Sequence, residues 1–166
     1  MAIEIERKYL VKKQEWQLYK EKLRRELGIV GVNYCQGYLP TKNETTVRIR
    51  IVGDRGYLTI KSKATGYTRS EFEYPIPVED ARQMLETLCL EPVIIKARYK
   101  LEYADLVWEV DEFFGENAGL IIAEVELEKE DSSVSIPDWI DREVNDPKYF
   151  NSNLIKYPYS QWRDRE

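Results

Sequence analysis

Apolar and charged residues alternate over Ile3–Val11 with the two-residue period of a strand. Glu4, Glu6 and Lys8 fall on one face, with Ile3, Ile5 and Tyr9 on the other. From Lys12 to Leu27 the period changes. Trp16, Tyr19, Leu23 and Leu27 recur three or four apart among Lys, Glu and Arg, which predicts an amphipathic helix stopped by Gly28. A strand is predicted near Val32–Leu39, ended by Pro40. Thr45–Val52 and Tyr57–Lys63 read as the arms of a hairpin around Gly53-Asp54-Arg55-Gly56. Next come a strand over Arg69–Ile76 and a helix from about Val78 to Cys89, its buried stripe formed by Val78, Ala81, Leu85 and Leu88. Further strands are predicted over Val93–Leu101, Leu106–Phe113 and Leu120–Glu128. A short helix is expected near Pro137–Val144, with Ser135 as its cap and Trp139, Ile140 and Val144 on its apolar side. The aromatic tail, broken by Pro147 and Pro158, reads as loops and turns packed on the body.

The polar faces of these strands carry full charges rather than Thr, Ser and Gln, and the signs segregate. Arg48 and Arg50 stand together, as do Lys61 and Lys63, and Lys96 with Arg98 and Lys100. Glu71 stands with Glu73, Glu109 with Asp111, and Glu124 with Glu126. A half-buried sheet with solvated charges is the ordinary explanation of alternation on one or two strands. Seven segments with this pattern point instead to a closed or nearly closed barrel, apolar outside under the helices and charged inside. Burying such a set dry would cost several kcal/mol per unpaired charge. A wet cavity that holds a ligand of both signs removes that objection, and a polyphosphate chelated to divalent cations is such a ligand. Arg and Lys neutralise phosphate oxygens, and carboxylates hold hard cations such as Mg²⁺ or Mn²⁺.

Composition narrows the chemistry. The chain has 166 residues, 30 acidic and 25 basic, with no histidine and a net charge of -5. A chain of this length is expected to be one domain, residues 1–166, able to fold without disulfide or structural metal. The missing histidine removes Ser-His and Cys-His nucleophile pairs, histidine-bound zinc and an imidazole base. The acidic balance argues against a nucleic-acid partner. No apolar run is long enough for a membrane span, and MAIEIERK has no apolar signal core, so a cytoplasmic protein is expected. Cys35 and Cys89 are expected as buried small hydrophobes rather than a disulfide. Trp16, Tyr19, Trp108 and Trp139 are expected in the core. Tyr38, after Gly37, is a candidate substrate contact at the tunnel mouth.

The N-terminal Glu4-x-Glu6-x-Lys8 resembles the ExExK signature of the CYTH, or triphosphate tunnel metalloenzyme, superfamily. The ordered set EIERKYLV, VRIR, LTIKSK, SEFEYPI, IIKARYKL, WEVDEF and AEVELE extends the resemblance over nearly the whole chain, and the tail segment from Asp146 to Leu154 is similar to that of small bacterial members. The resemblance implies an α+β fold, an eight-stranded antiparallel β-barrel forming a triphosphate tunnel with flanking helices. It implies a metal-dependent triphosphatase using Mg²⁺ or Mn²⁺, with inorganic tripolyphosphate cleaved to pyrophosphate and phosphate. The alternatives within the family are a class IV-type adenylate cyclase making cyclic AMP from ATP, and a nucleoside or thiamine triphosphatase. Arg48, Arg50, Lys61, Lys63, Lys96 and Arg98 would then bind the phosphate chain. Glu4, Glu6, Glu71, Glu73, Glu124 and Glu126 would be metal-ligand candidates, Asp111 either a ligand or a carboxylate supporting the ligands from behind, and Glu109 a less certain candidate. Glu4, Glu6 and Lys8 would be catalytic, with metal-bound water as nucleophile and Lys8 orienting it or binding phosphate. The partner is a small-molecule triphosphate, without nucleic acid or membrane, and the chain would act as a monomer or homodimer.

Overall fold

A computed structural model of the chain describes residues 3–163. Nine strands and three α-helices follow one another: β1 (Ile3–Val11), α1 (Lys13–Leu27), β2 (Val32–Tyr38), β3 (Thr46–Val52), β4 (Arg55–Lys61), β5 (Thr68–Ile76), α2 (Val78–Thr87), β6 (Ile94–Tyr103), β7 (Leu106–Phe113), β8 (Ile121–Glu126), β9 (Ile140–Val144) and α3 (Asn151–Lys156). β5, β4, β3, β2, β6, β7, β8 and β1 pair in that order, and β1 returns to β5 to close an eight-stranded antiparallel barrel. The closing pair is short, matching Ile3, Glu4 and Ile5 with Ser70, Arg69 and Thr68. Among the described residues no helix is long and apolar enough to cross a membrane.

Strand alternation separates two environments across the wall. The outward side chains of β1, β7 and β8, among them Tyr9, Trp108, Val110, Ala123 and Val125, form one buried core with Trp16 and Leu23 of α1. Trp16, Trp108 and Trp139 are buried there, as expected, with ring centroids 5.0–5.8 Å apart where they meet. Trp16 also donates from Nε1 to Glu112 Oε2 at 2.8 Å, so its one polar atom is satisfied. Gly28 ends α1 in the left-handed conformation that glycine adopts without strain, φ 65°. α2 lies on β3 and β4, where Ala81 is fully buried. A Cβ at Gly56 would come 2.9 Å from that of Ala81, so the close helix–sheet approach requires glycine.

Several expectations change. Residues Ile140–Val144 form a strand, β9, rather than a helix. β5 covers only the start of β1's edge, and β9 takes the remainder, pairing Lys8 with Val144 and Val11 with Ile140. Free backbone groups on that edge favour pairing over a helix of about two turns. Leu27 and Leu88 are exposed, so the apolar stripes of α1 and α2 are narrower than the periodicity suggests. Cys35 and Cys89 are free and half-buried.

One end of the barrel is filled. Leu10, Tyr38, Ile94, Phe113 and Ile122 occupy the inward parity of their strands and pack against Leu154 and Ile155 of α3 and against Tyr149, Tyr159 and Trp162. The tail therefore forms a floor under the barrel.

Candidate active site

Above that floor the same inward positions become charged and surround a cavity of about 420 Å³. Strand parity brings Glu4, Glu6 and Lys8 together with Arg48, Arg50 and Lys61. The opposite wall supplies Lys96, Arg98, Glu109, Glu124 and Glu126, and β5 contributes Glu71 and Glu73. Twelve of the fourteen expected site residues thus line one space, together with Glu109.

The other two lie elsewhere. β4 ends at Lys61, so Lys63 leaves the sheet, is exposed, and pairs with Glu44 at 3.4 Å. Asp111 points inward but lies beneath the cavity, 1% exposed, as the counter-ion of two cations. Its Oδ2 accepts from Lys96 Nζ at 2.7 Å, and Arg98 grips both oxygens at 2.8 and 2.9 Å. Burial pushes the Asp111 carboxyl up, and Arg98 and Lys96 more than reverse this, holding it at about 2. Of the two positions expected for Asp111, it holds the one behind the lining, under Lys96 and Arg98.

Lys8 Nζ lies 3.0 Å from Glu6 and 2.9 Å from Glu124. Burial alone would lower its pKa, but Glu124 and Glu6 raise it above the ordinary lysine range. The two carboxylates thus favour the charged form of Lys8. Lys61 donates to both oxygens of Glu4, at 3.1 and 3.0 Å. Arg48 contacts Thr59 at 3.1 Å and Glu73 at 3.4 Å.

Arg50 differs from its neighbours. Among the described residues it has no carboxylate within ion-pair distance, and its Nε donates to Gln36 Oε1 at 2.8 Å. Burial, then Arg48 and Arg98, push its guanidinium down to about 10. Tyr34 partly offsets this crowding, its ring centroid 4.8 Å from the Arg50 guanidinium and 4.9 Å from that of Arg98. The region is thus short of negative charge.

The carboxylates show the complementary crowding. Burial and then Glu124 push Glu6 up to about 7. Burial and then a hydrogen bond with Glu4 do the same to Glu71. Glu6 with Glu124 and Glu4 with Glu71 thus form two crowded carboxyl pairs. Among the described residues no group of three such side chains forms a finished metal cage. Paired carboxylates suit a hard divalent cation that completes its shell with water and phosphate oxygens, so the donor set fits Mg²⁺ or Mn²⁺.

Some site residues were not singled out from the sequence. Arg69 bonds Glu4 at 3.1 Å and approaches Glu6 at 3.8 Å. It stands two residues before Glu71, so extending that strand's parity would have found it. β2 contributes Tyr34 to the lining, with Gln36 behind Arg50 and no charged pair to mark it. Tyr38, which the sequence does single out, also lines the cavity, but at the floor rather than at the mouth. Tyr38 is buried, and its hydroxyl accepts from Gln36 Nε2 at 3.0 Å. Asn151, whose Oδ1 accepts from Lys96 at 3.0 Å, comes from the tail and carries no local signal.

Fold and lining together define a closed antiparallel β-tunnel protein with opposed charges in its lumen. Residues 2–153 match the CYTH domain, and the chain belongs to that family. An inorganic triphosphatase of Acetivibrio thermocellus is 47% identical over 99% of this chain and 100% of its own length. An inorganic triphosphatase of Nitrosomonas europaea is 31% identical over 92% and 95%. A crystal structure of an inorganic triphosphatase superposes with a TM-score of 0.62 at 29% identity, covering 93% of this chain and 95% of that one. Membership of the family implies a divalent metal.

Proposed function

We propose that this chain hydrolyses a linear triphosphate, with inorganic tripolyphosphate as substrate and pyrophosphate and phosphate as products. The observation that carries this reading is the uncompensated cation Arg50, set among Arg48, Lys96 and Arg98 above a closed floor. A polyanion supplies the missing charge, and guanidinium forks match phosphate oxygens. The faces of Tyr34 and Phe150 support an inorganic substrate. Arg50 and Arg98 lie over one, and Lys8 and Arg69 over the other, so both rings are engaged by cations that would have to move to admit a stacked nucleobase between them. The inorganic triphosphatase that is 47% identical over this chain supports the same substrate.

Glu4, Glu6, Glu71 and Glu124 would hold Mg²⁺ or Mn²⁺, with Glu73, Glu109 and Glu126 toward the rim. When bound, such a cation neutralises phosphate oxygens and acidifies a water molecule. The chain's own contribution is positional. Arg48, Arg50, Lys61, Lys96 and Arg98 fix the phosphate chain, and Lys8 stabilises charge beside the acidic pair. Asp111 keeps Lys96 and Arg98 in place.

The test is a panel of tripolyphosphate, ATP, GTP and thiamine triphosphate, each with Mg²⁺, Mn²⁺ and Ca²⁺, read as phosphate release and cyclic AMP formation. Metal-dependent turnover of tripolyphosphate above the others is expected, and Glu6→Ala should abolish it. Cyclic AMP as the main product from ATP would overturn the reading.

A further inference from the structure

The barrel has a seam. On one edge of β1, β5 pairs with Ile3–Ile5 and β9 with residues from Lys8 to Val11, leaving Glu6 and Arg7 between the two strands. A second cavity of about 310 Å³ opens there. It shares Glu6, Lys8, Arg69 and Phe150 with the main cavity and continues past Arg7 to Ala64 and Asn145. The Phe150 ring forms the partition, its centroid 5.4 Å from Lys8 Nζ and 5.7 Å from the Arg69 guanidinium. The outer rim is pinned: Glu130 Oε1 accepts from the Tyr67 N–H at 3.0 Å and the Thr68 hydroxyl at 2.9 Å. Arg7 Nη2 donates to the Glu130 carbonyl at 3.1 Å.

We propose that this seam cavity is an orthophosphate site through which one product leaves. The inference rests on the hydrolase reading above. Hydrolysis in a vessel with a closed floor makes two anions, and the one formed beside Glu6 and Lys8 would have the seam next to it while pyrophosphate stays on Arg48, Arg50 and Arg98. The seam opens at that point. Lys8 and Arg69 are held there by Glu6, Glu124 and Glu4. Arg7, however, has no carboxylate within ion-pair distance among the described residues and its Nε has no hydrogen-bond partner, which suits a small anion. Phe150 stands in the boundary between the two cavities beside the ion-paired Glu6, Lys8 and Arg69, and its ring has no hydrogen bond of its own to break.

Blocking the outer part with Ala64→Trp or, separately, with Asn145→Trp at an exposed position tests this. Rapid quench measures tripolyphosphate cleavage, and a phosphate sensor measures release. A kcat at least fivefold below wild type is expected, with a burst of about one phosphate per site before release. Wild-type kcat in both variants, or slower turnover without a burst, would overturn the proposal. Product inhibition of the unaltered chain gives a reading independent of folding. Orthophosphate should inhibit noncompetitively against tripolyphosphate, and purely competitive inhibition would count against a separate site. A wild-type chain that cleaves no triphosphate would instead remove the hydrolase reading itself.

Discussion

The charged chamber and the apolar floor are built from the same inward positions of the same strands. β1 changes from Lys8 to Leu10, β6 from Lys96 to Ile94, and β8 from Glu124 to Ile122. Two residues along a strand separate a hydrated ion-pair array from a dry core. The floor gains stability from burial that needs no partner of defined sign. The chamber gains little net stability from its ion pairs, because desolvation offsets most of their attraction. It gains a fixed field, set before any ligand arrives. The floor is thus a stability element, and the chamber a binding element that the floor and outer core hold in place.

Substitutions can break this division. The largest effect is expected where the two regions meet. Asp111→Ala leaves Lys96 and Arg98 buried without their counter-ion, which should cost about 3–5 kcal/mol in denaturant unfolding. In the floor, Leu154→Ala should cost roughly 2–5 kcal/mol of stability, while the turnover of each folded molecule falls only a few-fold. A loss of turnover as large as the loss of folded protein would show that the floor also shapes the site. In the chamber, Arg50→Ala should lower kcat/KM for tripolyphosphate roughly 100-fold. Its melting temperature should fall only slightly, because no ion pair is broken and the relief of repulsion from Arg48 and Arg98 offsets the lost bond to Gln36. A large drop in melting temperature would instead make Arg50 a structural residue. Lys63→Ala should give the smallest change, within about 0.5 kcal/mol of stability and twofold in activity. A strong activity loss there would mean that the exposed loop after β4 folds over the substrate.

Much of this arrangement was legible in the chain. Alternation put Glu4, Glu6 and Lys8 on one face and predicted that charged faces from many strands would meet inside a barrel. Position along the strand was not legible. The alternation of Lys61 and Lys63 runs on past the point where β4 ends, and pairing with β5, not side-chain type, fixes that end. The Glu109–Asp111 pair reads as two equivalent carboxylates, yet Glu109 lines the cavity and Asp111 is buried below it. β9 was read as a helix because its periodicity is ambiguous over five residues, and the open edge of β1 decided the matter.

The sequence by itself determined which side chains share a face, because period two is a property of the extended backbone. It also excluded imidazole chemistry, since no histidine is present. Tertiary structure decided depth: which inward residues meet solvent, which become counter-ions beneath them, and where the tail closes the barrel. Depth depends on strand pairing and on contacts between residues far apart in the chain, such as Lys8 with Glu124 and Lys96 with Asn151, and no local pattern encodes these.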